Sequence, residues 1–450
     1  MARTAVVLAT AGLTVAALQA AAFAKGWPAY LDGPAHWSDD AAATAITPGN
    51  ATGLVQKWHD FAGQDYLSSP VVADGAVFIG SDSGWFYKLS EATGTVLAKK
   101  FLGTQPKETC GSQGLVDTAT VAVSPVTHAD TVYVGGPDGY LFALSAASLA
   151  VQWKSVINIP SAKVSNYFEW SSPTVSGGRI YIGVSSHCDV PLIRGGVMAF
   201  RRSTGKKLAE FYTVPKGSIG GSVWSSVAVG PGGDVYATTG NGPTSRPLLS
   251  DSESILRLAP GTLKLLGRFQ VPKSDVKFDS DFGASPTIFG KDVGACDKNG
   301  LFYAVRRTTM KLAWKARIGA HSSATTYAQC SAAAIYNGKD LFFAGPAVTI
   351  KGTAYRGSVQ ERSPASGKVI WETGLPEGVI GSPSLDGGGV IAVGTFDNGP
   401  APNATYLVNA RTGAVVSTLV SGSRDFPQTV FAGKWIFSAN GSGVYAWQRR

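Results

Sequence analysis

The sequence is poor in charged residues, cysteine and histidine, and each shortage excludes a class of site. Only 15% of its residues are charged, and it has four cysteines and five histidines. No Cys-x-x-Cys-His motif is present, so a covalently attached haem is not expected. The scattered cysteines and histidines do not have zinc-ligand spacing, and no Gly-x-Ser-x-Gly elbow indicates a hydrolase. The formal net charge is +9, but the basic residues are dispersed, so no nucleic-acid partner is expected.

Long hydrophobic runs are missing after the first 24 residues. Within them, Arg3 begins a short basic region, residues 5–22 form an apolar run, and Ala22-Phe23-Ala24 resembles a cleavage site. We predict a secretory signal peptide over residues 1–24, cut before Lys25. A retained membrane anchor is the alternative, because the run is barely long enough to span a bilayer. The mature protein is expected to be secreted or periplasmic and to have no membrane span.

Export places the cysteines in an oxidising compartment, where they can form two disulfides. The sequence leaves all three possible pairings open. The four residues concerned are Cys110, Cys188, Cys296 and Cys330.

Glycine is abundant, with 55 residues, and so is one repeated pattern of apolar runs and tight turns. A first copy contains Ser69-Pro70, an apolar run over 71–80, a turn over 82–84 and a Thr-Gly turn at 93–94. Further copies begin near Ser124-Pro125, Ser172-Pro173, Ser226-Val227, Ser285-Pro286, Ser331-Ala332, Ser382-Pro383 and Phe426-Pro427. Their spacing of about 45 to 60 residues is typical of stacked or circular repeats.

Each copy predicts four short strands, because its β-branched and aromatic runs are bounded by Gly, Asp and Ser. Four antiparallel strands per copy, arranged around an axis, make the blade of a β-propeller. Trp153, Trp314 and Trp371 follow the turn regions, where each can pack one blade on the next. The eight starting points predict eight blades. Seven is the alternative if the weak copy near Ser226 is not a blade.

The two ends of the chain predict how the ring closes. The last copy stops one strand short, whereas the run Leu54-Val55-Gln56-Lys57-Trp58 has no blade of its own. Pairing this run with the last copy removes two exposed sheet edges. We therefore predict an all-β, eight-bladed propeller over residues 50–450, preceded by a lead-in segment over residues 25–49.

The tryptophan-bearing repeats resemble those of quinoprotein alcohol dehydrogenases, which bind pyrroloquinoline quinone and a metal in an eight-bladed propeller. The resemblance spans residues 50–448 and is greatest to the polyvinyl-alcohol dehydrogenase-like branch. Non-catalytic propellers of the outer-membrane assembly type share the same repeat. The family's disulfide of adjacent cysteines and the branch's haem domain have no counterpart here, which implies a separate electron acceptor.

Two segments resemble the parts of that family that support the quinone and bind its metal. Gly220-Gly221-Ser222-Val223-Trp224 is similar to the stretch whose tryptophan lies under the quinone, so the resemblance implies a stacking role for Trp224. Thr239-Gly240-Asn241 is similar to the Thr-Gly-Asn whose amide oxygen binds the metal, which implies that role for Asn241. From the residues alone, Trp224 is also compatible with a blade core, and Asn241 with a hairpin turn.

Two later segments resemble the catalytic part of the family. The segment Phe278–Gly283 looks like the one that carries the catalytic aspartate, which implies Asp281 as the base, with Asp279 as the second choice. Lys298-Asn299-Gly300 is similar to the stretch whose lysine donates to the quinone oxygens, an electrostatic role implied here for Lys298. The alternative is that both segments are ordinary solvated turns.

An earlier segment, Ser185–Asp189, resembles the stretch that ends in a metal-binding glutamate. The resemblance implies that Ser186 contacts the quinone and that Asp189, one methylene shorter than Glu, binds the metal. Calcium is the expected metal, since it accepts carboxylate oxygens. Arg194, which arrives one residue later than in the family, is implied as a further quinone-binding residue.

These observations lead to two expectations about function. The first is a secreted, calcium-dependent quinoprotein that oxidises an alcohol or sugar hydroxyl by hydride transfer to pyrroloquinoline quinone. The second is a non-enzymatic propeller that binds protein or polysaccharide, motivated by the missing adjacent-cysteine disulfide and the altered metal position. In the first case, Trp224, Asn241, Asp281 and Lys298 should converge at one end of the central channel.

Overall fold

The structure is a computed structural model that describes residues 23, 25–62, 65–105, 112–158, 167, 170–186, 189–321 and 328–450. The predicted signal peptide, apart from Phe23, lies outside these residues, and so do Cys110 and Cys188. Within the described ranges, no helix has the length and apolar character of a membrane span.

In the described part of the chain, three strands and two short 3-10 helices come first, and eight four-stranded blades follow, the last of which includes the third strand. The first strands are β1 (Gly26–Trp27), β2 (Asp39–Asp40) and β3 (Leu54–Asp60), and the 3-10 helices are Tyr30–Asp32 and Ala51–Gly53. Blade 1 contains β4–β7 (Val71–Ala73, Ala76–Gly80, Trp85–Ser90, Val96–Phe101), and blade 2 contains β8–β11 (Thr120–Val123, Asp130–Gly135, Tyr140–Ser145, Val151–Val156). Blade 3 contains β12–β15 (Thr174–Ser176, Arg179–Val184, Gly196–Arg201, Lys207–Tyr212), and blade 4 contains β16–β19 (Ala228–Val229, Val235–Thr238, Ser254–Leu258, Leu265–Gln270).

The second half of the chain continues in the same way. Blade 5 contains β20–β23 (Thr287–Phe289, Asp292–Cys296, Leu301–Arg306, Leu312–Arg317). Blade 6 contains β24 (Ile335–Tyr336), β25 (Leu341–Gly345), β28 (Gly357–Arg362) and β29 (Val369–Leu375), with the hairpin β26 (Val348–Ile350) and β27 (Thr353–Tyr355) inserted. Blade 7 contains β30–β33 (Ser384–Asp386, Val390–Gly394, Thr405–Asn409, Val415–Leu419), and blade 8 begins with β34–β36 (Val430–Ala432, Trp435–Asn440, Gly443–Arg449).

Blade 8 is completed by β3, which confirms the predicted ring closure. β3 pairs antiparallel with β36, and Trp58 lies opposite Ala446. The weak copy near Ser226 is a full blade, blade 4, so the count is eight and not seven. The inner strands are buried along their length, whereas the outermost strand of a blade, such as β11, alternates exposed and half-buried residues. Buried side chains of neighbouring blades interdigitate to form the core, as for Phe78 of blade 1 and Val132 of blade 2.

Tryptophans of outer strands join successive blades as predicted. Trp314 of blade 5 donates its indole N–H to the carbonyl of Pro364, at the turn of blade 6, over 2.9 Å. A Cβ on Gly367, which has φ +69°, would lie 2.6 Å from the Trp314 ring, so only glycine allows this contact. The same arrangement recurs in three other pairs: Trp58 with Gly94, Trp153 with Gly205, and Trp371 with Gly413.

A belt of hydroxyl groups explains why the copies begin with serine. In each case, the donor is the backbone N–H of the residue that lies two positions before the inner strand of one blade. The acceptor is the side-chain hydroxyl of the equivalent residue in the next blade. Five such bonds of 2.8–3.0 Å are Ser69 to Thr118, Ser172 to Ser226, Ser226 to Ser285, Ala333 to Ser382, and Gln428 to Ser69. The predicted starting point near Ser124 was therefore wrong, because the equivalent residue is Thr118. The starting points near Ser331 and Phe426 lie two residues before the equivalent residues, Ala333 and Gln428. Ser124 accepts turn N–H groups between β8 and β9 and only mimics the repeat.

The lead-in segment closes one end of the central channel. Its carbonyls accept backbone N–H groups from inner strands of several blades, including Pro28 from Val121, Pro34 from Val229 and Ser38 from Leu385. The Tyr30 hydroxyl hydrogen-bonds to Ser382 Oγ and lies at the floor of the channel. These bonds pair N–H groups of the inner strands that would otherwise have no partner. Because the lead-in occupies this end of the channel, a site is expected at the opposite end.

One disulfide pairing is resolved. Cys296, the last residue of β21, is bonded to buried Cys330, which precedes blade 6. This bond ties the loop that carries Lys298 to the neighbouring blade.

Candidate functional site

The open end of the channel is capped by one residue from each blade. These residues lie four positions before the inner strands and are Leu67, Val116, Trp170, Trp224, Gly283, Ser331, Ile380 and Phe426. Trp170 and Trp224, on adjacent blades, border both the channel and a larger cavity above it. A Cβ on Gly283 would lie 2.8 Å from the Trp224 ring, so the absence of a side chain there leaves room for the indole.

The cavity above Trp224 has a volume of about 690 Å³ and is the predicted meeting point of the site residues. Six of the seven predicted residues line it: Ser186, Asp189, Trp224, Asn241, Asp281 and Lys298. They come from the loops of blades 3, 4 and 5. The required convergence at one end of the channel is therefore met for these residues.

Asp281, Lys298 and Trp224 form one hydrogen-bonded group. The Trp224 indole N–H donates to Asp281 Oδ2 over 3.0 Å, and Lys298 Nζ lies 2.6 Å from Asp281 Oδ1. Lys298 Nζ also lies 3.1 Å from Asp279 Oδ1 and 5.1 Å from the centre of the Trp224 ring. Burial raises the pKa of Asp281, although the charge of Lys298 opposes this. Burial lowers the pKa of Lys298, but Asp281 and Asp279 outweigh it and hold the pKa above its ordinary value.

The backbone places these groups together. A β-bridge pairs Phe282 with Asp297, and the Lys298 N–H donates to the Asp281 carbonyl over 3.0 Å. Phe282 is fully buried and packs edge-on against Tyr303. The acid and the lysine are thus held by adjacent, well-packed backbone, which fixes the ion pair before any ligand binds.

Asn241 joins two carboxylates in the same cavity. Its amide Nδ2 donates to Asp189 Oδ2 over 2.9 Å and to Asp279 Oδ1 over 2.8 Å. Ser186 Oγ donates to Asp189 Oδ1 over 3.0 Å. Carboxylate, amide and hydroxyl oxygens are the donors that a hard cation prefers. Among the described residues, no three His, Cys, Asp or Glu side chains already have a metal-binding arrangement.

Arg194 is the predicted residue that the structure does not bring to the cavity. Its guanidinium lies 4.0 Å from the centre of the Tyr212 ring, and its Nε donates to the Val214 carbonyl. Arg194 is also bridged to Gly220, in the segment that leads to Trp224. Its contacts are with the blade 3 framework around the site.

Two residues of the site were missed from the sequence. Trp170 occupies the position of Trp224 one blade earlier, and this offset from the inner strand is a signal that the repeat contained. Glu253 also lines the cavity, and only 1% of it is exposed. Burial, followed by the charges of Asp281 and Asp279, raises the pKa of Glu253 to about 8. No motif marked Glu253, because a polar residue before a strand usually indicates a solvated turn.

The chain belongs to the PQQ_2 family, whose profile, described as outer membrane protein assembly factor BamB, matches residues 8–254 and 275–450. It is also similar to two curated proteins of Pseudomonas. One is quinohemoprotein alcohol dehydrogenase ADH IIB of Pseudomonas putida, 31% identical over 227 residues, covering 41% of this chain and 32% of that protein. The other is lupanine 17-hydroxylase [cytochrome c] of Pseudomonas sp, 30% identical over 154 residues, covering 34% of this chain and 21% of that protein. The matches thus span about a third or less of these relatives.

Solved structures confirm the quinoprotein-type propeller fold. Quinohemoprotein alcohol dehydrogenase from Comamonas testosteroni superposes with a TM-score of 0.74 at 17% identity, over 94% of this chain and 80% of that chain. A europium-containing methanol dehydrogenase gives a TM-score of 0.70 at 16% identity, over 92% and 89%. BamB from Moraxella catarrhalis gives 0.59 at 14% identity, over 88% and 99%. At these identities the likeness is one of fold.

Proposed function

We propose that this protein is an extracytoplasmic quinoprotein dehydrogenase that oxidises an alcohol or sugar hydroxyl, with pyrroloquinoline quinone as cofactor and calcium as metal. The observation that carries the proposal is the buried group of Asp281, Lys298 and Trp224, next to Asn241 and Asp189, in one cavity. The quinohaemoprotein relatives support the reaction class. The polyvinyl-alcohol dehydrogenase-like branch and a separate electron acceptor are parts of the same proposal.

The residues present fit the quinone and the metal together. The indole of Trp224 lies between channel and cavity and can support a flat aromatic ring, a contact worth about 1 kcal/mol beyond burial. The cavity carries the acidic side chains of Asp189, Glu253, Asp279 and Asp281. Because these four acids outnumber the two lysines of the lining, Lys277 and Lys298, a bound cation would favour an anionic quinone there. Asp189 and Asn241 are the residues that would hold that cation, Asn241 after its amide turns its oxygen inward.

Each remaining residue has a distinct task. When bound, the quinone supplies the carbonyl that accepts a hydride from the substrate carbon. Lys298, kept charged by two carboxylates, donates to the quinone oxygens and stabilises negative charge there. Asp281 accepts the proton of the substrate hydroxyl, and its orientation is held by Trp224 and Lys298. Ser186 holds Asp189 and borders the quinone space.

A non-enzymatic propeller that binds protein or polysaccharide is the second candidate. It is favoured by the family description and by the match to BamB, which this chain covers over 99% of its length. Binding of a protein or polysaccharide by such a scaffold does not require a buried lysine that is ion-paired with two aspartates in a cavity wall. Cofactor binding therefore separates the two candidates.

Reconstitution of the purified mature protein with the quinone and calcium tests the proposal. We expect micromolar quinone to quench tryptophan fluorescence and the loaded protein to reduce an artificial dye with an alcohol substrate. Trp224→Ala should abolish quinone binding, and Asp281→Asn should abolish turnover while leaving binding in place. Trp85→Ala, which removes a half-buried tryptophan of blade 1, is the matched control and should bind quinone normally. Absence of quinone binding by the unmodified protein would exclude the enzyme and favour the scaffold.

A further inference from the structure

Glu253 is a buried carboxyl group of the cavity that the proposed reaction does not yet use. Its backbone is fixed on both sides, because its N–H donates to the Gly240 carbonyl over 3.1 Å and its carbonyl accepts from Val271 over 3.0 Å. Its φ of 46° lies in the left-handed region, which a glutamate adopts only where surrounding structure holds it. The position of the side chain is thus imposed by blade 4.

One oxygen of Glu253 has no hydrogen-bond partner. Oε2 is completely buried and unpaired among the described residues, although the side chain borders the cavity. Buried polar atoms in folded proteins almost always have a partner, since leaving one unpaired costs about 1–3 kcal/mol. Because the side chain borders the cavity, a turn of its carboxyl group would present this unpaired oxygen to a ligand bound there.

The charges that face Glu253 favour its neutral form. Burial, and after it the charges of Asp281 and Asp279, raise the pKa of Glu253, whereas Lys298 and a hydrogen bond with Ser280 lower it less. Burial raises the pKa of the fully buried Asp297, and the charges of Asp281 and Glu253 raise it further. The ammonium group of Lys298 is already engaged by two aspartates, so it provides little compensation for a further anion. A protonated glutamate avoids this repulsion.

We propose that Glu253 is a neutral carboxylic acid of the binding site that donates its hydrogen to a carbonyl or carboxylate oxygen of the bound quinone. This inference rests on the proposed function. The ligand that Glu253 would contact is a planar anion with many oxygen atoms. A neutral donor can approach such an anion, whereas an ionised glutamate would repel it. Glu253 is not one of the predicted metal donors, Asp189 and Asn241, which are hydrogen-bonded to each other.

Quinone binding to the full-length mature protein tests the role of Glu253 without measuring turnover. Tryptophan quenching is titrated at constant calcium from about pH 6 to about pH 10, a range that spans the ionisation expected for a raised carboxyl. The wild type should bind with constant affinity at low pH and lose about tenfold or more as pH rises beyond about 8. Glu253→Gln keeps a neutral N–H donor and should bind without this alkaline loss. Glu253→Leu, which has no donor, should bind about tenfold more weakly at low pH.

Asp386→Asn is the matched control. Asp386 is another buried carboxyl whose pKa burial raises, to about 7, but it lies in blade 7, outside the cavity. This variant should keep the wild-type pH dependence of quinone binding. Thermal unfolding checks that each variant is folded, and calcium affinity in Glu253→Gln should equal that of the wild type.

Three results would overturn the inference while leaving the proposed function intact. They are wild-type affinity in Glu253→Leu, an unchanged alkaline loss in Glu253→Gln, and weakened calcium binding in Glu253→Gln, which would make Glu253 a metal ligand. Absence of quinone binding by the wild type would instead remove the proposed function and this inference together. The two failures are therefore distinguishable.

Discussion

At the scale of single residues, the cavity is built from acids that are costly to bury. Asp281 is stabilised by Lys298 and Trp224, whereas Glu253 forms no ion pair within the part of the chain that the structure describes. Desolvation penalises an ionised carboxylate, so a cavity with four acids, one buried lysine (Lys298) and one exposed lysine (Lys277) can keep only some of its acids charged. The different environments of Asp281 and Glu253 agree with the two roles that we propose, a base for the first and a neutral donor for the second.

The raised pKa of Glu253 should make the free energy of unfolding depend on pH. The pKa of Glu253 is about 8 in the folded protein and near 4.5 in the unfolded chain. The folded state therefore retains a proton that the unfolded state loses, and stability falls as pH rises between these two values. In Glu253→Gln this loss is absent, so its thermal midpoint relative to the wild type should increase with pH.

Between about pH 4.5 and about pH 8, the ionisation of Glu253 should lower the free energy of unfolding of the wild type by up to about 1.4 kcal/mol per pH unit. Outside this range, Glu253 should contribute no pH dependence. Thermal unfolding of both proteins over a pH series measures this dependence. Parallel midpoints across the series would show that Glu253 ionises normally in the folded protein.

At the scale of strands and turns, the repeat predicted most of the architecture because its signals are local. Short apolar runs and glycine turns specify a blade within its own segment, and the unpaired run containing Trp58 predicted the closing strand. The starting point near Ser124 was wrong because a serine–proline turn looks the same in sequence wherever it occurs.

The site was predicted less completely than the fold. Trp224, Asn241, Asp281 and Lys298 belong to recognisable segments, and the structure places them together. Glu253 has no segment of this kind, because its burial depends on the packing of blade 4 against blade 5. Arg194 has the right sequence context, but its guanidinium lies against Tyr212.

The junctions between blades should depend on the tryptophan–glycine contacts. Trp314 is 8% exposed and packs on the turn of blade 6. Trp314→Ala should lower the free energy of unfolding by about 3 kcal/mol or more, since a large buried side chain is lost. Gly367→Ala should also destabilise, because its Cβ would clash with that ring at a positive φ.

Thermal or urea unfolding measures both variants. Phe61→Ala is the control, since Phe61 is 52% exposed and lies outside any blade junction. Stability equal to wild type in Trp314→Ala would mean that the junction is held by other contacts.

At the scale of the whole molecule, the ring is completed by segments that are far apart in the chain. The lead-in closes one end of the channel, and β3 supplies the outer strand of blade 8. The candidate site lies at the other end, on loops of blades 3 to 5. The chemistry therefore depends on a ring whose closure involves none of the site residues.

Truncation should separate the lead-in from the closing strand. A chain of residues 50–450 lacks the lead-in but keeps β3, whereas a chain of residues 62–450 lacks both. The longer chain should remain monomeric with reduced stability. The shorter one should associate, because β36 then presents a free edge with unpaired N–H and C=O groups. Size-exclusion chromatography distinguishes the two states, and a synthetic peptide of residues 50–61 added to the shorter chain should restore the monomer by pairing with β36. If the shorter chain is monomeric and as stable as the longer one, closure by β3 contributes nothing to the integrity of the ring.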